Sequence, residues 1–261
     1  MFRSPYTALA TTAALFIAGC TTQPPGAHHT EMRSSEPAAQ KALAVADTRL
    51  GTQWGESHVS HTRNVSGTRL SDKPFDLYTI NYSAYPYRGE ALTTALIADG
   101  RIRFSVLDGR GRTQSFVRNQ SGDHLLGKEG ERYQLHYENL SNSESYEVVA
   151  AVDGVDVING KPASVQYRGY LLSPRATLTI EGFRESADSI AAFRFAKPDD
   201  AYAANSDKNS INNVGIIATA VYRVAIQGMP MPITVKPQPP RPNPFPADPP
   251  GQYAEPPRYD R

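Results

Sequence analysis

Between residues 74 and 226 the sequence is built from short segments in which apolar and polar residues alternate, and this pattern constrains the fold most. Ile102, Phe104 and Val106 fall on one side of such a segment and polar residues on the other, as in a half-buried strand. No amphipathic helical period separates the segments. This pattern predicts an all-β fold, a β-sandwich or a barrel-like domain.

Turn residues separate these segments at the spacing expected for short antiparallel strands. Asp99-Gly100 supplies the positive φ that a two-residue hairpin turn needs. We expect the β domain to span residues 74–228. The pattern leaves open whether 74–120 and 131–226 form one sandwich or two subdomains.

Cys20 is the single cysteine of the chain, and this excludes an intramolecular disulfide and any zinc site that needs a second cysteine. The formal net charge is +1, from 27 Lys and Arg against 26 Asp and Glu. There is therefore no overall basic excess to attract nucleic acid, and we expect no nucleic-acid partner.

The first 19 residues have the features of a secretory signal peptide. Arg3 supplies a positive charge, and an uncharged, largely apolar stretch follows from Tyr6 to Ala18. This stretch is shorter than the roughly 20 residues that a membrane-spanning helix needs. The sequence predicts that it is removed after export.

Ile17-Ala18-Gly19-Cys20 resembles the lipobox of bacterial lipoproteins. The resemblance implies cleavage before Cys20 and attachment of lipid to its thiol and to the new amino group. Thr21, rather than Asp, follows the cysteine, and in Gram-negative lipoproteins this favours the outer membrane. Several acyl chains are needed for a lasting anchor, because one chain gives only marginal binding.

Segments of different composition flank the predicted domain. Residues 20–73 are expected to form a lipidated tether, with a short helix at 37–50 followed by polar, irregular chain. Residues 229–261 hold 12 of the 21 prolines, which predicts a disordered or polyproline tail because proline lacks a backbone donor.

Exposed tyrosines are candidates for ligand binding. The run from Tyr82 to Arg88 crosses a turn at Pro86, so Tyr85 and Tyr87 are expected to present one or two rings to solvent. Such rings stack on sugars or bind protein partners. The competing interpretation is that alternating tyrosines pack in the core.

Asp153 and Asp156 are weaker candidates for a binding site. Together with Asn159 they offer oxygen atoms to a calcium ion, yet the calcium-loop pattern of the EF-hand is absent. Asx turns at a hairpin explain the same residues more simply. We therefore predict no metal site.

An enzymatic function remains as an alternative prediction. Glu147, Asp153, Glu181 and Asp188 are carboxylates that a glycan or cell-wall hydrolase could pair. There is no Gly-x-Ser-x-Gly, phosphate-binding loop or dinucleotide motif, so we assign no catalytic residue and no cofactor.

Residues 145–195 are similar to a block found in uncharacterised exported proteins and lipoproteins of bacteria. That resemblance implies a β domain outside the cytoplasm and carries no site residue. The sequence therefore predicts an envelope lipoprotein whose β domain is a non-enzymatic binding or assembly module. Its expected partners are the membrane, through lipid, and an envelope protein or glycan.

Overall fold

The structure is a computed structural model that describes residues 47–206, 209 and 211–226. The described residues all belong to one compact unit, within Ala46–Arg261. Within them the chain forms 16 β-strands and three short 3₁₀ turns, with no α-helix. The prediction of an all-β fold is confirmed.

The strands have between two and eleven residues. In chain order they are β1 (Gly51–Val59), β2 (Gly67–Arg69), β3 (Asp76–Ser83), β4 (Glu90–Leu92), β5 (Ala95–Ile97), β6 (Ile102–Asp108), β7 (Phe116–Asn119), β8 (Gly122–Leu126), β9 (Tyr133–Asn139), β10 (Ser145–Val152), β11 (Val155–Asp156), β12 (Tyr170–Leu172), β13 (Thr177–Ile180), β14 (Gly182–Arg184), β15 (Ser189–Ala196) and β16 (Ile216–Ile226). The 3₁₀ turns are Pro198–Asp200, Tyr202–Ala204 and Ile211–Asn213.

Three sheets form a sandwich-like arrangement. The largest has nine strands in the order β11-β10-β16-β3-β8-β7-β4, with β12 paired to β10 and β2 paired to β16. A four-stranded sheet has the order β13-β9-β6-β5, and a three-stranded sheet has the order β1-β15-β14. Strands from 74–120 and from 131–226 share the largest sheet.

Aromatic and aliphatic side chains fill the space between the sheets. The predicted alternation in β6 and β9 is confirmed, because Ile102, Phe104, Tyr133 and Tyr137 are all completely buried. Tyr133 also stacks on Phe195 of β15, with ring centroids 4.4 Å apart, and so links two sheets. Burial of such rings is the main source of stability in a domain without disulfides.

A second, smaller apolar cluster lies on the other face of the nine-stranded sheet. Val149, Ala218 and Tyr222 of β10 and β16 form part of it, and Val165 and Leu171 pack against it. Both faces of β10 and β16 are therefore covered. This explains why the sequence of β10 is a continuous apolar run rather than an alternating one.

Part of the segment 20–73, which the sequence predicts to be a tether, belongs to the β domain. Gly51–Val59 forms β1, which pairs with β15, and Gly67–Arg69 forms β2. A register shift between Trp54 and Ser57 interrupts the alternation of β1, and this is why the segment has an irregular pattern in the sequence.

Several predictions concern residues outside the described part of the chain. These are the signal peptide at 1–19, Cys20 and the Pro-rich tail at 229–261. Most of the predicted helix at 37–50 also lies there, and its last four residues are not helical. Within the described ranges, no helix is both long enough and apolar enough to cross a membrane.

Candidate functional site

Tyr85 and Tyr87 lie together in the loop between β3 and β4, and their rings are 50% and 38% exposed. The rings meet edge to face, with centroids 4.9 Å apart. Tyr82, at the start of the same run, is buried at 2% exposure. The run therefore divides as its turn at Pro86 predicts, with one ring in the core and two at the surface.

The inner face of Tyr87 rests on the imidazole of His124. The two rings are nearly parallel, with centroids 3.9 Å apart, and His124 itself is only 6% exposed. His124 lies in β8, which pairs in parallel with β3, the strand that precedes the tyrosine loop. We call Tyr85, Tyr87 and His124 the aromatic platform.

Hydrogen bonds hold the underside of the platform. His124 Nε2 lies 2.8 Å from Ser121 Oγ, and Ser121 Oγ lies 2.7 Å from Asn119 Oδ1. The amide of Asn119 in turn donates to the carbonyl of Arg88, at the end of the tyrosine loop. This chain of contacts connects the β7–β8 turn to the tyrosine loop and restricts its movement.

The same contacts indicate the tautomer of His124. The single proton of Ser121 Oγ is directed to Asn119 Oδ1, so His124 Nε2 acts as the donor to Ser121. His124 Nδ1 is buried and has no hydrogen-bond partner among the described residues, which is uncommon for a buried polar atom.

An ion pair between the buried Asp123 and the half-exposed Arg118 fixes the β7–β8 hairpin beside the platform. Asp123 accepts two hydrogen bonds of 2.7 Å from Arg118 and one of 2.6 Å from Tyr78. Burial alone would raise the pKa of Asp123, but the bonds from Arg118 and Tyr78 outweigh it and lower the pKa. His124 is the next residue along β8, so this pairing also fixes its backbone.

A close backbone approach fixes the far end of the tyrosine loop. A Cβ atom at Gly89 would lie 2.1 Å from the carbonyl oxygen of Arg118 in β7. Only glycine fits this contact, which brings the start of β4 against β7. The tyrosine loop is thus held at both ends, and its exposed rings are preorganised for contact with a partner.

The structure places Asp153 in the interior, at 1% exposure. Its carboxylate accepts hydrogen bonds from Tyr82 Oη (2.6 Å), the Thr52 amide (2.7 Å) and the Gly215 amide (2.8 Å). Thr52 Oγ1 lies between the hydroxyls of Tyr82 and Tyr133, which extends the network. Burial raises the pKa of Asp153 to about 7, and these donors oppose the rise. The network joins β1, β3 and β9 to the turn that follows β10.

Asp156 is also buried, at 1% exposure. One carboxylate oxygen accepts the amides of Ile158 and Asn159 in an Asx turn, and the other has no partner among the described residues. Burial raises the pKa of Asp156 to about 7 because the charged form is poorly solvated there. Neither Asp153 nor Asp156 is open to an external ligand.

The other carboxylates considered for hydrolysis lie in different surroundings. Glu147 is buried and pairs with Arg69, with a 2.7 Å contact between Nε and Oε2. Asp188 is 75% exposed and contacts His61, while Glu181 accepts from the amide of Gln134. In the described ranges, no group of three or more His, Cys, Asp or Glu could hold a metal ion.

The fold and the aromatic platform therefore define an all-β domain with a fixed, partly exposed aromatic surface. No protein-family model matches the chain, and searches of curated proteins and of solved structures also found no match.

Proposed function

We propose that this chain is an outer-membrane lipoprotein, anchored through lipid on Cys20, whose β domain binds another component of the bacterial envelope. The observation that carries the binding proposal is the exposed pair Tyr85 and Tyr87, held on a buried His124. The proposed partner is an envelope protein or an envelope glycan. The proposed role is binding rather than catalysis.

The anchor is supported by the lipobox at Ile17-Ala18-Gly19-Cys20, in which the single cysteine of the chain stands where lipid is attached. An uncharged stretch precedes it, and about 30 residues separate it from β1. Extended chain spans at most roughly 3.3–3.6 Å per residue, so this segment has enough length to place the domain well away from the lipid surface.

Replacing Cys20 with alanine is expected to abolish lipidation and membrane association. The thiol is the acceptor of the diacylglyceryl group, and alanine has no nucleophile in its place. Intact-mass measurement and membrane fractionation of the wild-type and Cys20→Ala chains test this directly. Lipid-free wild-type chain, or equal sedimentation of both with the membrane, would contradict the anchor.

The platform has the properties of a binding surface rather than of a packing defect. Two large rings are exposed side by side. A loop that was free to move would bury such rings against the domain, because burial of apolar surface lowers the free energy. Tyrosine adds contact area with few rotatable bonds, so little entropy is lost when a partner covers it. Preorganisation by His124 lowers that cost further.

Truncation of both platform tyrosines is expected to weaken envelope binding at least tenfold, without unfolding the domain. Each ring contributes contact area of the kind that forms hot spots, which cost about 2 kcal/mol or more when truncated. The measurement is co-sedimentation with purified cell-wall sacculi and with outer-membrane vesicles, made in the Cys20→Ala background so that no lipid anchor attaches the chain to the vesicles. Binding to sacculi identifies a glycan, and binding to vesicles alone identifies a membrane component.

The matched control is Leu96→Ala. Leu96 is 64% exposed and lies in β5 of the four-stranded sheet. The substitution therefore removes exposed apolar area at a place away from the platform. It should leave binding unchanged. Equal binding by wild type and Tyr85→Ala/Tyr87→Ala, or equal loss with Leu96→Ala, would overturn the role of the platform.

A further inference from the structure

A groove of about 720 Å³ lies at one end of the β10–β16 pair. One wall is the segment 62–67, the other is formed by Arg168, Gly169, Tyr170 and Leu171, and Glu147 and Val224 also line it. Its volume is in the range of small-ligand sites. None of the three platform residues lines the groove, so it is a separate candidate site.

The carboxylate of Glu147 is already neutralised by Arg69. The Nε–Oε2 and Nη2–Oε1 distances are 2.7 and 3.2 Å, and Arg69 also lies over the ring of Tyr222, 3.7 Å from its centroid. Glu147 further accepts the amide of Gly169 at 2.7 Å. Both partners are largely buried, so the ion pair adds no net charge to the groove and fixes its wall.

Gly169 is required for this wall. A Cβ atom there would lie 2.2 Å from the carbonyl oxygen of Val148 in β10. The backbone of Arg168 and Tyr170 is therefore held against the sheet on both sides of the glycine. The Arg168 side chain projects from this fixed segment and is exposed.

Two guanidinium groups in the lining give the groove an excess of positive charge. Arg63 and Arg168 are exposed, and neither makes a hydrogen bond or ion pair with another described side chain or backbone group. Arg184 does not itself line the groove; it is 5% exposed and contacts only neutral oxygens, those of Tyr170, Ser60 and Ser189.

Asp188 is an exposed carboxylate near the end of this positive surface. Asp188 contacts His61 at 2.8 Å, one residue before the start of the groove wall at Thr62. Both side chains are more than 70% exposed, so solvent screens this charge strongly. The groove as a whole thus carries a positive field that an anionic ligand would complement.

The uncharged lining indicates the kind of anion. Thr62, Asn64 and Ser66 supply hydroxyl and amide groups, and Tyr170 supplies a partly exposed ring. Hydroxyl and amide groups hydrogen-bond sugar hydroxyls, and a tyrosine ring packs on the apolar face of a sugar. Guanidinium groups bind carboxylates in a bidentate manner.

We infer that this groove binds an acidic saccharide, a glycan unit that carries a carboxylate. Arg63 and Arg168 contact the carboxylate, the polar side chains of the 62–67 wall contact hydroxyls, and Tyr170 packs on the sugar ring. The groove and the aromatic platform share no residue, so an experiment can contradict binding at one of them and leave binding at the other unaffected.

The test uses trigalacturonic acid and its methyl ester as matched probes. They differ in charge and share their sugar rings, so the comparison isolates the carboxylate. Isothermal titration calorimetry on full chain in detergent, at low ionic strength, gives both affinities. We expect the acid to bind at least tenfold more tightly than the ester.

The variant Arg63→Ala/Arg168→Ala is expected to weaken binding of the acid at least tenfold and to leave thermal unfolding unchanged, because both side chains are exposed. Arg110→Ala removes an exposed arginine from a turn elsewhere and serves as the control. Absence of binding by the acid, equal binding of acid and ester, or equal affinity of the double variant and wild type would each overturn the inference. Tyr85→Ala/Tyr87→Ala should bind the acid as wild type does.

Discussion

Replacing Asp153 with alanine is expected to lower the free energy of unfolding by about 3–5 kcal/mol, since a buried acceptor would be lost while its donors remain. Three donors would lose their hydrogen-bond acceptor, namely the amides of Thr52 and Gly215 and the hydroxyl of Tyr82. Alanine would also have to adopt the positive φ of 55° at this position. Domains of this size have only about 5–15 kcal/mol of stability in total, so this loss is severe.

Urea denaturation followed by circular dichroism measures this effect through the midpoint and slope. Asp153→Asn tolerates the positive φ and keeps one acceptor oxygen, so its loss should be smaller. Asp72→Ala, at an exposed position, should change stability by less than about 0.5 kcal/mol. A loss below about 1 kcal/mol for Asp153→Ala would show that the network contributes little to the fold.

Asp156→Asn is expected to stabilise the domain strongly at pH 8 and much less, by about 1 kcal/mol, at pH 4.5. Burial raises the pKa of Asp156 from 3.8 to about 7 in the folded state, so folding favours the protonated form. Its stabilising contribution is fully present below pH 3.8 and is lost as the pH rises through 7. Asparagine resembles the protonated carboxyl group and keeps the acceptor for Ile158 and Asn159.

The size of the gain follows from the difference in pKa. At about 1.4 kcal/mol for each pKa unit, the rise to about 7 sets an upper limit of about 4 kcal/mol at pH 8. Urea denaturation of both chains at pH 4.5 and pH 8 gives the two differences. The pKa of Asp153 is also raised, but Asp153 is present in both the wild-type and the Asp156→Asn chain. Its contribution to the pH dependence therefore cancels when the two chains are compared. An equal effect of the substitution at the two pH values would contradict the raised pKa.

The local strand pattern was predictable because each signal lies within a few residues. Asp153-Gly154 forms the two-residue turn between β10 and β11, with φ of 55° and 73°. Asp99-Gly100 also lies in a hairpin, but the loop between β5 and β6 has four residues, and Ala98 too has a positive φ. The sequence thus indicates where the chain turns more reliably than how long the loop is.

Contacts between distant segments were not predictable in the same way. The parallel pairing of β3 with β8 and the place of β1 beside β15 depend on packing across the whole domain. Trp54 of β1, for example, packs against Phe183 and Tyr202, far along the chain. No local period in the sequence encodes such partners.

The same distinction applies to the candidate site. The turn at Pro86 indicated that rings near it would be exposed, and Tyr85 and Tyr87 are. The stacking of Tyr87 on His124 arises from the β3–β8 pairing and could not be anticipated. Asp153 and Asp156 have the composition of a surface turn, yet the hairpin that they form is folded into the interior.

The most direct test of the proposed function is photo-crosslinking in intact cells, with p-benzoylphenylalanine in place of Tyr85 in the full, lipidated chain. The control places the same group at Leu96, which is 64% exposed in β5. We expect position 85, and not position 96, to give one discrete crosslinked envelope component. Equal crosslinking at both positions, or none at position 85, would contradict binding through the aromatic platform.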